Sequence, residues 1–148
     1  MAEFFTPAHP PADPRQRLTE LRNALQELHK SLLQSERLSY EASFGRSISS
    51  YDFLHLLTSD PWFAWLAPVT HLLAAIDTAL DDARRPLTPD LVKSLANQTK
   101  SLLTPSEAGE GFARQYDEVL QRDPDVLFAH VAMSKLIRHQ FGPPTAAD

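Results

Sequence analysis

Leucine recurs at alternating intervals of three and four residues near the start of the chain. The series comprises Leu18, Leu21, Leu25, Leu28 and Leu32. This spacing places one side chain per turn on a single face, as in a helix that buries a long apolar stripe. Asp13 and Pro14 precede the series and supply a helix N-cap and a first helical residue. The pattern predicts a long first helix over about 15–43.

Three later helices are predicted to begin in the same way, at a capping residue followed by proline. The pairs are Asp60-Pro61, Thr88-Pro89 and Asp123-Pro124. Apolar residues recur with helical spacing after each pair, and the sequence contains no alternating strand pattern. We therefore predict an all-α fold, a mostly antiparallel bundle of four to six helices. The predicted bounds are about 15–43, 49–58, 61–83, 89–103, 107–122 and 124–141.

Pro68 interrupts the apolar run of the third predicted helix. A proline inside a straight helix costs about 3 kcal/mol, so we expect either a kink there or a turn over 62–66 followed by a new helix. Because Pro68 and His71 break the run, it is predicted to be too short and too interrupted to cross a bilayer. No association with a membrane is expected.

The same segment is predicted to form the centre of the core. At 100° per residue its large apolar side chains fall within about a third of the helix circumference, whereas His71 falls on the opposite side. The paired tryptophans could stack on a ring-shaped ligand, but their spacing with neighbouring leucines favours a packing role. The predicted core face includes Trp62, Trp65, Leu66, Val69, Leu73 and Ile76.

Chain length and composition predict one folded unit with two tails. The 148 residues are about one domain long. Residues 1–14 and 142–148 are rich in proline, alanine and small polar residues, so we expect them to be disordered. A single helical-bundle domain is predicted over 15–141.

The lack of cysteine and the acidic charge exclude several function classes. With no cysteine, disulfides, thiolate nucleophiles and Cys-based metal sites are impossible. A net charge of −5 argues against a broad nucleic-acid surface. The N-terminal segment has no basic region followed by an apolar run, so we expect no signal peptide and a cytoplasmic location. No glycine-rich phosphate loop or nucleophile elbow occurs.

Charge is unevenly distributed along the chain. Residues 15–46 contain six bases and four acids, whereas residues 47–83 contain five acids and no Lys or Arg. Such blocks usually form solvated faces. The alternative is that a basic first helix pairs with an acidic third helix, within the molecule or across a dimer.

Three titratable side chains are predicted to point inward from the two terminal helices: His29, Glu36 and His130. If these helices are neighbours, the three could converge on a metal site for iron, zinc or manganese. However, Glu-x-x-His spacing is absent, and His29 lies about 10 Å along the axis from Glu36. The simpler interpretation is one hydrogen bond each, with Tyr40, Tyr116 or a backbone group as partner.

One segment resembles part of a known group of proteins. The sequence Ser59-Asp60-Pro61-Trp62-Phe63-Ala64-Trp65-Leu66-Ala67-Pro68, continuing to Leu72-Leu73, is similar to segments of uncharacterised small all-helical bacterial proteins. The resemblance is confined to 59–73. It implies no activity, cofactor or partner, and no functional residue is carried over from it.

The sequence supports three functional hypotheses in decreasing order. The first is a non-enzymatic module that binds protein, most simply a second copy of itself, without a cofactor. The predicted helix over 49–58 is apolar on most sides and is expected to lie under other helices, and the leucine stripe of the first helix is expected to extend beyond what one small bundle can cover. The second is a metal-dependent bundle that uses His29, Glu36 and His130. The third, a DNA-binding regulator, has only Lys135, Arg138 and His139 as basic groups on the last helix.

Overall fold

The computed structural model describes residues 13–141, which form a helical bundle without a β-strand in that range. The predicted all-α bundle of four to six helices is therefore confirmed. The predicted tails, apart from Asp13 and Pro14, lie outside the described residues. The elements are α1 (Pro14–Phe44), α2 (Ser50–Ser59), a 3₁₀ helix (Pro61–Leu66), α3 (Ala67–Asp81), α4 (Pro89–Leu102), α5 (Phe112–Arg122) and α6 (Pro124–Phe141).

Helix α1 runs through the middle of the bundle and packs against α3, α4 and α6. Its leucine stripe is completely buried, as the three-four spacing requires. The Asp13 carboxylate caps the first turn by accepting a hydrogen bond from the Gln16 backbone N–H at 2.7 Å. Gly45 ends the helix in the left-handed conformation, φ 66°, which glycine adopts without steric cost.

Side-chain pairs show that α1 is antiparallel to both α3 and α6. Arg22 near the start of α1 pairs with Asp77 near the end of α3, at 2.8 Å. At the other neighbour, Gln140 near the end of α6 donates a hydrogen bond to Glu20. The Arg22–Asp77 pair is the contact between a basic first and an acidic third helix that the charge pattern suggested. Because both side chains are partly exposed, the pair contributes little stability.

The predicted helix 61–83 is divided into a 3₁₀ helix and α3. Pro68 lies in the first turn of α3, where a missing N–H breaks no intrahelical hydrogen bond. Of the two alternatives predicted for Pro68, the short turn followed by a new helix therefore describes the chain, and the kinked helix does not. The 3₁₀ helix is capped by the Asp60 carboxylate, which accepts from the Trp62 backbone N–H at 2.8 Å.

Helix α5 begins later than the sequence indicated. The prediction placed its start at residue 107, whereas the helix begins at Phe112. Gly111 has φ 62° and ψ −132°, outside the helical region, and Gly109 donates a turn hydrogen bond to the Ser106 carbonyl. These two glycines hold the preceding residues in a turn, so that part of the prediction is wrong.

The predicted core face is buried to different depths. Leu66, Val69 and Ile76 are buried, whereas Trp62, Trp65 and Leu73 are half-buried and pack against the core from its edge. The tryptophans are therefore not its centre, because the α1 leucines fill that space. His71 is exposed, as its angular position indicated.

Helix α2 departs most clearly from expectation. It contains no buried residue and packs chiefly against the 3₁₀ helix that follows it. Phe53, Leu56 and Leu57 cover the edge of the core. Tyr51 and Leu54 point outward, 80% and 66% exposed. The prediction that this helix lies under other helices of the same chain is wrong.

The segment Pro61–Asp81 is long and apolar enough to cross a membrane by length and composition, with a mean hydropathy of 1.4. The expectation that it is too short is therefore wrong on those two measures. Its buried side chains, which include Val69 and Ile76, belong to the same core as the α1 leucines. The apolar window of this segment is 28% buried within the bundle, whereas a core helix that meets the same two criteria is mostly buried.

Candidate functional site

The three inward polar residues have three different partners. Glu36 binds Trp65 and Arg122, His29 binds Thr70, and His130 binds Tyr116. Within residues 13–141, no group of three or more His, Asp or Glu side chains could hold a metal ion. The structure therefore does not bring His29, Glu36 and His130 together as one site.

Glu36 joins three elements of the bundle through its carboxylate. One oxygen accepts a hydrogen bond from the Trp65 indole N–H at 2.9 Å, and the other accepts from the Arg122 guanidinium at 2.5 Å. The carboxylate is 6% exposed, so a charge-assisted partner is needed to offset its desolvation. With both oxygens occupied and a cation beside it, Glu36 is poorly suited to bind a metal ion.

His29 makes a lateral contact between α1 and α3. Its Nε2 atom lies 3.2 Å from the Thr70 hydroxyl. Burial lowers the pKa of the His29 imidazole below its ordinary value, since a charged ring would be poorly solvated there. The neutral ring is thus the form that fits this position.

His130 and Tyr116 form a partly buried hydrogen bond between α5 and α6. The Tyr116 hydroxyl lies 2.7 Å from His130 Nδ1, and the tyrosine is fully buried. Burial raises the pKa of the Tyr116 phenol, so the hydroxyl keeps its proton, and burial lowers the pKa of His130. A buried hydroxyl proton needs an acceptor, which assigns Nδ1 as that acceptor and places the imidazole proton on Nε2.

A continuous series of ring contacts connects the Glu36 carboxylate with His130. The Trp65 ring, whose N–H binds Glu36, lies 5.4 Å from the Phe112 ring. Phe112 stacks on Tyr116, also at 5.4 Å between centroids, and Tyr116 meets His130 edge-on. These aromatic contacts fix the orientation of the Tyr116–His130 pair.

A cavity of about 460 Å³ opens between the end of α4 and the middle of α6, and we call it the α4–α6 cavity. His130 forms part of its wall. Because Nδ1 is occupied by Tyr116, Nε2–H is the hydrogen-bond donor that the His130 imidazole can offer to a molecule in the cavity. The other residues of the wall are Lys100, Leu103, Thr104, Pro105, Met133, Ser134, Ile137 and Arg138. The cavity has an apolar floor and polar or cationic groups at its margin.

A second feature is the apolar surface around α2. Tyr51 and Leu54 are three residues apart on one face of α2, and Phe44, 57% exposed, ends α1 just before it. The Phe44 ring rests on Tyr40 and Trp62, with centroids 4.6 and 6.0 Å away. We call Phe44, Tyr51 and Leu54 the α2 surface. Single exposed apolar residues are ordinary, whereas several large ones on elements that follow each other in the chain are candidates for a contact surface.

The sequence did not identify two parts of these sites. Arg122 was not singled out, because an arginine at the end of a predicted helix gives no indication of which acid it meets. The cavity was also missed, since it depends on how α4 packs against α6. Tyr116, in contrast, was among the partners considered for the buried polar residues, and it binds His130.

No protein-family model, curated protein or solved structure matches this chain. The function is therefore inferred from its own side chains. Within residues 13–141, the α2 surface and the α4–α6 cavity are two features whose chemistry suits the binding of another molecule.

Proposed function

We propose that this chain is a non-enzymatic interaction module that forms a homodimer through the α2 surface. The observation that supports the proposal is the exposure of Tyr51 and Leu54 on a helix that has no buried residue. Burying apolar area contributes roughly 25 cal/mol per Å². Covering this surface with a partner therefore favours association and also holds α2 in place.

Aromatic side chains give the α2 surface the character of an interface centre. Tyrosine and other large aromatic residues are enriched among the residues that dominate binding energy. Phe44 is positioned by its contacts with Tyr40 and Trp62, so little conformational freedom is lost when a partner covers it. Phe44 is thus already held in place before a partner binds.

The charges beside the α2 surface favour a second copy as the partner. Arg46 lies in the loop before α2 and Asp52 in its first turn, and both are exposed. In a two-fold interface, residue i of one copy meets residue j of the other, and the reverse. Arg46 of each copy can therefore face Asp52 of the other around a shared apolar centre.

Sedimentation equilibrium of the full chain tests this proposal. We expect a dimer at about 100 µM protein and dissociation on dilution, with the double variant Tyr51→Ser/Leu54→Ser remaining a monomer. The control is Phe128→Ser, because Phe128 is 70% exposed on α6, away from α2. Helix content measured by circular dichroism should be unchanged in all three proteins.

A charge exchange provides a sharper version of the test. The single variant Asp52→Arg should weaken the dimer through repulsion by Arg46, and the exchange Asp52→Arg/Arg46→Asp should restore it. A chain that stays monomeric at every concentration contradicts the proposal. So does a dimer that Phe128→Ser disrupts as strongly as the α2 variant does.

No observation in residues 13–141 favours the other two functions. A metal-dependent bundle would need ligands that meet, and the inward residues have separate partners. A DNA-binding helix would need several exposed bases that line one face. Lys135 and Arg138 on α6 are too few, and Arg138 is part of the cavity wall.

A further inference from the structure

The α4–α6 cavity combines apolar and cationic side chains. Leu103, Met133 and Ile137 form its apolar floor, and Lys100 and Arg138 are exposed cations at its margin. The volume of about 460 Å³ lies within the range of small-molecule sites. An apolar body with a few convergent polar groups is the usual composition of such sites.

The charged side chains of the cavity wall are all positive. None of its nine residues is Asp or Glu. Within the described part of the chain, neither Lys100 nor Arg138 forms an ion pair shorter than 4 Å. Their positive charge is therefore available to a ligand, and a cationic ligand would be repelled.

We propose that the α4–α6 cavity binds a small amphipathic anion, with its charged group between Lys100 and Arg138 and its apolar body on the floor. His130 contributes a hydrogen bond rather than a charge, because its Nδ1 accepts from Tyr116 and its Nε2–H remains as the donor. The ligand class is an alkyl or aryl carboxylate or phosphate. Arginine and lysine are the side chains that proteins use for both of these anions.

Exposed apolar residues extend the floor along α6. Leu127 and Val131 are four residues apart on one face, and Ser134 of the cavity wall follows on the next turn of that face. A longer apolar chain can therefore continue along the helix outside the cavity. Affinity should increase with chain length by up to about fourfold per methylene while this surface is being covered.

Isothermal titration of the full chain with matched ten-carbon probes tests the proposal. We expect saturable binding of decanoate and of decyl phosphate, much weaker binding of decanol, and none of decyltrimethylammonium. The double variant Lys100→Gln/Arg138→Gln should lose about tenfold or more in affinity for decanoate. The control is Lys93→Gln/Lys135→Gln, which removes two exposed cations from the same helices outside the cavity.

Methionine methyl NMR locates the binding without any substitution. The chain has two methionines, Met1 and the buried cavity residue Met133. Decanoate should shift the Met133 methyl signal in a saturable manner. This measurement decides the proposal even if a cavity variant fails to fold.

Several results would overturn the proposal. They are an unshifted Met133 signal at saturating decanoate, equal affinity for decanol and decanoate, and an equal loss of affinity in the control variant. Binding to phosphatidylglycerol vesicles without binding of monomeric decanoate would also overturn it, because the cations would then recognise a membrane surface.

Discussion

Glu36 is the one acid within residues 13–141 that is buried, and its environment is complete without a ligand. Trp65 and Arg122 each donate to one of its oxygens, so that α1, the 3₁₀ helix and α5 are joined at one carboxylate. Such groups are costly to break, because loss of the two donors would leave the buried carboxylate unpaired. The role of Glu36 is therefore to fix how these elements pack.

Substituting Glu36 by alanine should lower the free energy of unfolding by about 2–3 kcal/mol. Most of this loss comes from the Trp65 N–H, since Arg122 is half-exposed and can be solvated by water. Glu36→Gln retains an acceptor for the indole and should lose about half as much. Urea denaturation measures both variants, with Glu27→Ala, at an exposed position of α1, as the control. An equal loss in the control would contradict this role.

The two half-buried histidines make stability dependent on pH. Burial lowers the pKa of His29 and of His130 in the folded chain, so below about pH 6.5 the unfolded chain binds protons that the folded chain does not. Stability should therefore be constant above that pH and fall as the pH falls towards the folded pKa values.

The variant His29→Gln/His130→Gln should lose less stability than the natural chain between about pH 7.5 and 5.5. Thermal melting at several pH values measures the difference. His71→Gln is the control, because His71 is exposed. Identical pH profiles for the double variant and the natural chain would show that these histidines are not responsible.

Helical phase explains why the sequence identified individual residues better than pairs. The 3.6-residue repeat indicated that Glu36 and His130 point inward, and both make inward hydrogen bonds. The position of a residue around its helix predicts which way its side chain points. It does not predict which residue of another helix lies there. The partners Trp65 and Arg122 depend on the order in which six helices pack, which local spacing does not encode.

At the scale of elements, proline-capped starts were the most reliable signal. Helices α4 and α6 begin at Pro89 and Pro124, as the preceding Thr88 and Asp123 indicated. The wrong boundary at 107 arose because helix-compatible residues precede Gly111, whose backbone conformation is not helical. The burial of α2 was wrong for another reason, since an apolar helix can be covered by a second molecule as well as by its own chain.

Pro68 allows the division between the 3₁₀ helix and α3 to be tested. In the first turn of α3 the proline restricts the unfolded chain without breaking a hydrogen bond, so Pro68→Ala should destabilise the fold by about 0.4–1 kcal/mol. If Pro68 lay in the interior of a helix, Pro68→Ala would have the opposite effect and raise the free energy of unfolding by about 3 kcal/mol. Ala74→Pro, at an exposed position in the middle of α3, is the contrasting control and should cost at least that much. Urea denaturation shows whether Pro68→Ala lowers or raises the free energy of unfolding.

At the scale of the whole molecule, the two proposed binding features lie on different elements. The α2 surface is formed by α2 and the end of α1, whereas α4 and α6 form the cavity together with the residues that follow α4. The two features share no residue, so a change in one need not alter the other unless helix packing couples them.

We therefore expect the two activities to be separable by substitution. Tyr51→Ser/Leu54→Ser should abolish self-association while decanoate still shifts the Met133 methyl signal. Ser134→Phe, which fills the cavity, should abolish that shift while sedimentation still gives a dimer. Additivity of this kind is expected for distant sites without shared partners. If either variant removes both activities while retaining its helix content, the sites are coupled through the bundle, and the aromatic series from Trp65 to His130 is the first place to test.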